Sequence, residues 1–313
     1  MFIKNIPIIL ILAIFFVIVL TLNLFAAEGG YSNYVPGTYG DFAAAIEPSS
    51  KWTIRNDFYY YVADGSKSVR SGRAEVGADI KFGANFLTVL YKPKIKFFGA
   101  SYAFGAFLTP IFHADIESDL SRGNFRISSK DNITNLGDQT FIPGILFWNS
   151  GNFHFSLAEY IVVPVGKYDS DDLANTGLNY WTFDTDFAVT YFNPETGQDY
   201  SINIGYNYNT ENTETHYQTG EEVHIDYMIN QFFSESIAIG INGFYLKQVS
   251  GDSGRGAILG SYKSEAAGIG PAILWNIKVF GQEVSFIAKW LHEYHAERRL
   301  EGDHIFASFA FSF

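Results

Sequence analysis

From residue 50 onward the chain alternates apolar and polar positions with a period of two. Tyr200, Ile202, Ile204, Tyr206 and Tyr208 stand opposite Ser201, Asn203, Gly205, Asn207 and Asn209. Val223, Ile225, Tyr227 and Ile229 oppose His224, Asp226 and Asn230 in the same way. Between Ala74 and Lys92, Val76, Ala78, Ile80, Phe82, Ala84, Phe86 and Leu90 share one face, and Glu75, Asp79, Lys81 and Asn85 share the other. Successive side chains of a strand point to opposite faces, so each stretch predicts one oily and one polar surface, whereas a helix would scatter these residues around its axis.

About twelve such strands are expected. In the first half they fall near residues 51–63, 73–91, 97–116, 135–149, 153–165 and 178–192. In the second half they fall near 200–210, 221–232, 236–249, 258–277, 283–295 and 304–313. The connections alternate without exception. Short links (92–96, 150–152, 193–199, 233–235 and 278–282) take turns with longer polar ones (64–72, 117–134, 166–177, 211–220, 250–257 and 296–303). An even strand number with short turns at one end and long loops at the other is the pattern of a transmembrane antiparallel β-barrel. A soluble sandwich gives no reason for it. The last strand places Ile305, Ala307, Phe309, Phe311 and Phe313 on one face, and its terminal aromatic resembles the signal read by the barrel-assembly machinery.

Two segments precede the strands. Residues 1–27 read as a signal peptide: Lys4, an apolar run from Ile6 to Phe25, then Ala26 and Ala27. The run is long enough to serve as an uncleaved inner-membrane anchor, and the strand pattern beyond it favours export. Residues 28–50 hold Tyr34, Tyr39, Phe42 and a Pro36-Gly37 break, with no strand partner for the rings. This is either a solvated periplasmic segment or an N-terminal plug inside the barrel, and the aromatics favour the plug. The fold class is therefore all-β, with the barrel over residues 51–313 and no second domain.

Composition narrows the chemistry. Of 313 residues, 20 are Tyr and 30 Phe, which suits aromatic girdles where a barrel wall meets the lipid interfaces of the outer membrane. The net charge of -12 leaves no basic stripe for nucleic acid. Without Cys there is neither a disulfide nor a thiolate metal site. His292-Glu293-Tyr294-His295 falls one residue short of the zinc motif and lies on a strand, where the two His would point to opposite sides. His154 and Ser156 share a strand face, which leaves a lipase-like outer-membrane hydrolase as an alternative, but that face is read as the interior and no G-x-S-x-G elbow occurs. Gly251–Gly256 lacks the Lys-Ser/Thr of a phosphate loop, and Asp169, Asp171 and Asp172 read as a solvated acidic loop. No catalytic residue, metal or cofactor is expected.

Several motifs share the order they have in a known family: Tyr34–Phe42, Asn135-Leu136-Gly137-Asp138, Val163–Asp169, Asn175–Trp181, Asn212–Gly220 and Gly268-Ile269-Gly270-Pro271. On these residues the chain resembles the outer-membrane transporter-like family named for the meta-pathway of phenol degradation. It departs at Ala44–Pro48, where the family usually has Gly. The resemblance implies passive uptake of small hydrophobic or aromatic compounds. Tyr34, Tyr39 and Phe42, with Tyr59 and Tyr61 on the first strand's inner face, are then the expected solute contacts. The polar face predicts a lumen network of Arg55, Asp57, Asp79, Lys81, His113, Asp115, His224, Asp226, Lys289 and Glu293, joined by Asp184, Asp186, Asn203, Asn207, Lys263 and Glu265. A closed structural barrel without transport is the remaining alternative.

Overall fold

The computed structural model describes residue 27 and residues 30–69, 74–122, 125–258, 260–279 and 281–313. The expected leader lies outside the described residues apart from Ala27. The strands begin with β1 (Trp52–Val69), β2 (Ala74–Tyr91), β3 (Lys96–Phe97), β4 (Ala100–Arg122) and β5 (Phe125–Asn135). There follow β6 (Gln139–Ser150), β7 (Phe153–Val163), β8 (Thr182–Asn193), β9 (Gln198–Asn209) and β10 (Glu222–Phe232). The last are β11 (Ile237–Gln248), β12 (Glu265–Val279), β13 (Gln282–Glu297) and β14 (Glu301–Ser312). No α-helix occurs among the described residues.

Every pairing is antiparallel. The ring runs β1-β2-β4-β6 and on through β7 to β14, which pairs back onto β1 from Thr53↔Ser312 to Asp64↔Glu301. The result is a closed barrel of twelve strands with two additional ones, β3 and β5. Closure satisfies the backbone groups that an open edge would leave bare in hydrocarbon. On β9 the alternation is regular: Tyr200, Ile202, Ile204, Tyr206 and Tyr208 are exposed on the outer wall while Asn203 and Asn207 are buried inside.

The wall between β2 and β7 is less regular. β4 and β5 form a long hairpin across most of the stretch expected to be the 117–134 loop. β5 and β6 both pair with β4, and between them Leu136-Gly137-Asp138 leaves the ladder. Register shifts occur at Asn85/Leu87, Ala103/Gly105 and Phe141/Gly144, the last beside Pro143, which has no N–H to donate. The expected strands near 178–192 and 258–277 begin later, at Thr182 and Glu265, because the residues before them fold into loops.

The segment from Asn33 to Pro48 makes hydrogen bonds to side chains of several strands. Asn33 donates to Thr182, the Ala45 N–H to Thr190, the Ala43 N–H to Asp199, and Asn242 donates to the Gly40 carbonyl. Lys289, on β13, donates to the carbonyls of Gly37 and Gly40 and lies 3.8 Å from Asp41. Near its end, Lys92 bonds Glu47 and the Pro48 carbonyl, and Asn149 bonds Glu47.

Candidate solute-binding site

Three sequence motifs that lie apart in the chain meet at the break in the wall. Asp138 is the hinge of the arrangement. Its Oδ1 accepts the Gly166 N–H at 2.8 Å and its Oδ2 the Leu178 N–H at 2.9 Å. Thr176 accepts the Lys167 N–H at 3.0 Å and donates to the Leu136 carbonyl at 2.8 Å. Gly166 and Gly177 pack backbone to backbone, leaving no room for a Cβ on either. The loop between β7 and β8 is thereby strapped over residues 136–138.

Behind this strap lies a cavity of about 130 Å³, lined largely by aromatic rings. Phe82 and Phe86 come from β2, Phe107 and Phe112 from β4, Tyr59 and Tyr61 from β1, and Tyr31 and Tyr34 from the N-terminal segment. The rings contact one another edge-on or tilted: Tyr31–Phe82 at 5.3 Å, Phe82–Phe112 at 5.4 Å and Phe86–Phe107 at 4.9 Å between centroids. Polar groups interrupt the lining at Thr109, Asp138, Thr140, Arg299 and His304. His304 is buried, 2.9 Å from the Tyr59 hydroxyl and 3.2 Å from Glu293, which also accepts the Tyr61 hydroxyl at 3.0 Å. The cavity thus offers one apolar slot with a few fixed hydrogen-bonding groups, the usual make-up of a small-molecule site.

Residues 38–309 match the model of the family described as the MetA-pathway of phenol degradation. The chain belongs to that family. A comparison with curated proteins gives no match. Among solved structures, an outer membrane channel from Pseudomonas putida shares 12% identity at a TM-score of 0.62, covering 90% of this chain and 100% of that one. That likeness shows the barrel fold. A Pseudomonas aeruginosa FadL homologue is more distant, with 8% identity and a TM-score of 0.43 over 93% of this chain and 96% of that one.

In this phenol-degradation-family barrel, Tyr34, Tyr59 and Tyr61 line the cavity. Tyr39 and Phe42 do not. Tyr39 donates to Asp184 at 3.0 Å and packs on Tyr160, while Phe42 meets Phe232 at 6.0 Å. Arg55 bonds Asp41, Asp57 and Ser308, and His224, Asp226, Lys289 and Glu293 are buried inside the ring.

The expected inward placement of Asp79, Lys81, His113 and Asp115 is overturned. On β2 the buried side chains are Ile80, Phe82, Ala84 and Phe86, so Asp79 and Lys81 face outward and are exposed. On β4, Ala114 and Ile116 are buried. His113 and Asp115 take the opposite face, His113 bonded to Thr134 of β5 and Asp115 paired with Lys130 of β5. Alternation separates two faces without saying which one turns outward. Here the aromatic face lines the cavity, and the charged face lies toward the long-loop end. Lys263 is likewise exposed, and Glu265 pairs with Lys247 on the outer wall. His292 and His295 are both exposed, a register shift between Ala267 and Gly268 having broken the alternation. Among the cavity residues that the sequence reading missed are Ile80, Phe82, Phe86, Phe107 and Phe112, together with the polar Thr109, Thr140, Arg299 and His304.

Proposed function

We propose that the protein is an outer-membrane channel for passive uptake of small hydrophobic compounds, and that single-ring aromatics are the solutes it suits best. The observation that carries this is the aromatic cavity. Apolar cavities of about 150 Å³ hold one benzene ring, and the cavity here is about 130 Å³. A ring would sit among Phe82, Phe86, Phe107 and Phe112, with a polar substituent turned to His304, Thr109 or Thr140. No covalent step is involved, so the protein is read as a non-enzyme. The contacts of Tyr34, Tyr39 and the Gly37–Gly40 carbonyls support reading residues 28–50 as the plug. Release would follow either movement of that segment or loosening of the strap at Asp138, where the wall is already interrupted.

The same reading removes residues 1–27 on export, engages the assembly machinery through Phe313 and leaves the exposed apolar belt in lipid. N-terminal sequencing of the membrane-extracted protein tests the cleavage. The transport test compares uptake of labelled toluene, phenol and a long-chain fatty acid by cells with and without the protein. Faster entry of the one-ring solutes is expected, with little change for the fatty acid. Equal rates for all three would end the channel reading and leave a structural barrel.

A further inference from the structure

On the opposite side of the interior, β8 and β10 aim four ionisable side chains at one point. Asp184 and Asp186 are two residues apart on the inward face of β8, and His224 and Asp226 stand in the same relation on β10. β9 runs between them. Its Gly205 pairs with Asp186 on one side and with His224 on the other. A Cβ at Gly205 would overlap the His224 ring and press on the Asp186 carboxylate. The missing side chain lets the imidazole reach across β9, so that Nε2 lies 2.9 Å from Asp184 and 3.9 Å from Asp186.

The charges in this cluster do not balance. All four side chains are buried. The available donors are few: Tyr39, His224 and the Asn207 amide to Asp184, Tyr34 to Asp226, and Asn203 to Asp186. Asp186 Oδ2, Asp226 Oδ1 and His224 Nδ1 have no hydrogen-bond partner among the described residues. The buried cations nearby are committed elsewhere, Arg55 to Asp41 and Asp57, Lys289 to Gly37, Gly40 and Asp41, and Arg299 to Glu222. Even a protonated imidazole leaves an excess of negative charge, and unpaired buried carboxylates are costly.

We propose that Asp184, Asp186 and His224 form a binding site for a divalent transition-metal ion. One ligand atom from each lies within 4.8 Å of the others. Two ligands about 2.1 Å from a common ion are separated by about 3.0–3.4 Å, which the His224–Asp184 spacing of 2.9 Å approaches. A mixed imidazole and carboxylate set selects an ion of the zinc or manganese type over calcium or magnesium, which prefer all-oxygen shells. A ligating imidazole is neutral, so the ion's two positive charges would offset two of the three carboxylates. Tyr34 and Tyr39 bond carboxylate oxygens of Asp226 and Asp184, and the Tyr34 ring stacks on His224 at 4.0 Å. The ion would therefore brace the N-terminal segment as well as join β8 to β10.

The experiment uses the full chain in detergent, stripped with a chelator and titrated with Zn²⁺, Mn²⁺, Ca²⁺ and Mg²⁺. Saturable binding of one Zn²⁺ or Mn²⁺ per chain is expected, with a rise in Tm and slower proteolysis of residues 30–50. Asp186→Asn and His224→Gln should each weaken it at least 100-fold, with heat-modifiable gel migration confirming that the variants are folded. The exposed His216, His292 and His295 could hold zinc on their own, and binding unchanged in both variants would assign the ion to them and overturn the proposal. So would the absence of any saturable binding to the wild type. Should either variant not fold, X-ray absorption on the zinc-loaded wild type decides: one imidazole among oxygen ligands supports the site, and two or more imidazoles refute it.

Discussion

Replacing Asp138 by Ala is the sharpest probe of the strap over the wall. The substitution removes two bonds from backbone N–H groups to a carboxylate, from Gly166 at 2.8 Å and Leu178 at 2.9 Å, while Leu178 stays buried. Hydrogen bonds to a charged group contribute about 1.5–3 kcal/mol each. Asp138 is half-buried, so the lower end applies, giving about 3 kcal/mol for the pair. That is roughly a 100-fold rise in the open population of the loop, each 1.4 kcal/mol being a factor of ten. Hydrogen exchange of peptides spanning residues 163–181 reads this directly. Protection should fall by about two orders of magnitude in Asp138→Ala and by less in Asp138→Asn, whose amide oxygen still accepts one N–H. Efflux of a ring solute from loaded proteoliposomes should quicken in the same order. Identical protection in wild type and Asp138→Ala would show that the loop is held by the Thr176 bonds and glycine packing alone, and would remove the strap as a gate.

Other consequences are open to measurement. Phe86→Ala should cost about 3–5 kcal/mol in unfolding free energy and extend uptake to two-ring solutes; unchanged size selectivity would argue against the cavity as the route. Tyr34→Phe with Tyr39→Phe withdraws one donor each from Asp226 and Asp184, at about 1–3 kcal/mol apiece, and should make residues 30–50 more susceptible to protease. Asp79→Ala and Lys81→Ala, on the outer face, should leave stability within about 0.5 kcal/mol of wild type; a larger loss would restore them to the interior. Partial burial works against the Glu47 charge, but hydrogen bonds from Ser101, Lys92 and Asn149 hold its carboxyl below the ordinary range. Because the folded value is the lower one, this tether is present above the usual carboxylate pKa and is lost as pH falls through the depressed value. Proteolysis of the segment should therefore accelerate only in strong acid.

The strands were legible because period-two alternation survives wherever an apolar face turns outward and a polar face turns inward, as on β9 and β10. The same logic failed on β2 and β4, where an apolar face turns inward onto the cavity and the charged face turns out. Nothing in the residues 74–92 distinguishes those two orientations. Polar composition made 117–134 look like a loop, yet the β4–β5 hairpin extends the ladder there, since Ser, Asp and Lys pair as strand residues once a neighbour supplies the backbone bonds. The motif around Asp138 could be read as distinctive in sequence, but its meeting with Gly166 and Leu178 depends on a long-range fold. Gly205 was equally silent. In a row of small polar residues it looks like one more interior position, and only the neighbouring strands reveal that its empty side is filled by His224.

The interior is divided by chemistry. Rings of β1, β2 and β4 form one half, and carboxylates, amides and the His224 imidazole of β8, β9 and β10 form the other. The N-terminal segment lies between them, and its residues sort the same way: Tyr31 meets Phe82 edge-on, whereas the Tyr34 and Tyr39 hydroxyls turn to Asp226 and Asp184. On the proposed plug reading, a segment holding donors toward the acidic side and ring faces toward the aromatic side would close the polar path while preserving the apolar one. An ion crossing the barrel would have to displace bonded tyrosines, but a ring solute needs only to exchange one aromatic contact for another. On the proposed reading, selectivity for uncharged aromatics would follow from this division without a dedicated filter. Measured conductance should accordingly stay low in the wild type and rise when residues 28–50 are deleted, whereas low conductance in the deletion would mean that the strand side chains themselves fill the polar half.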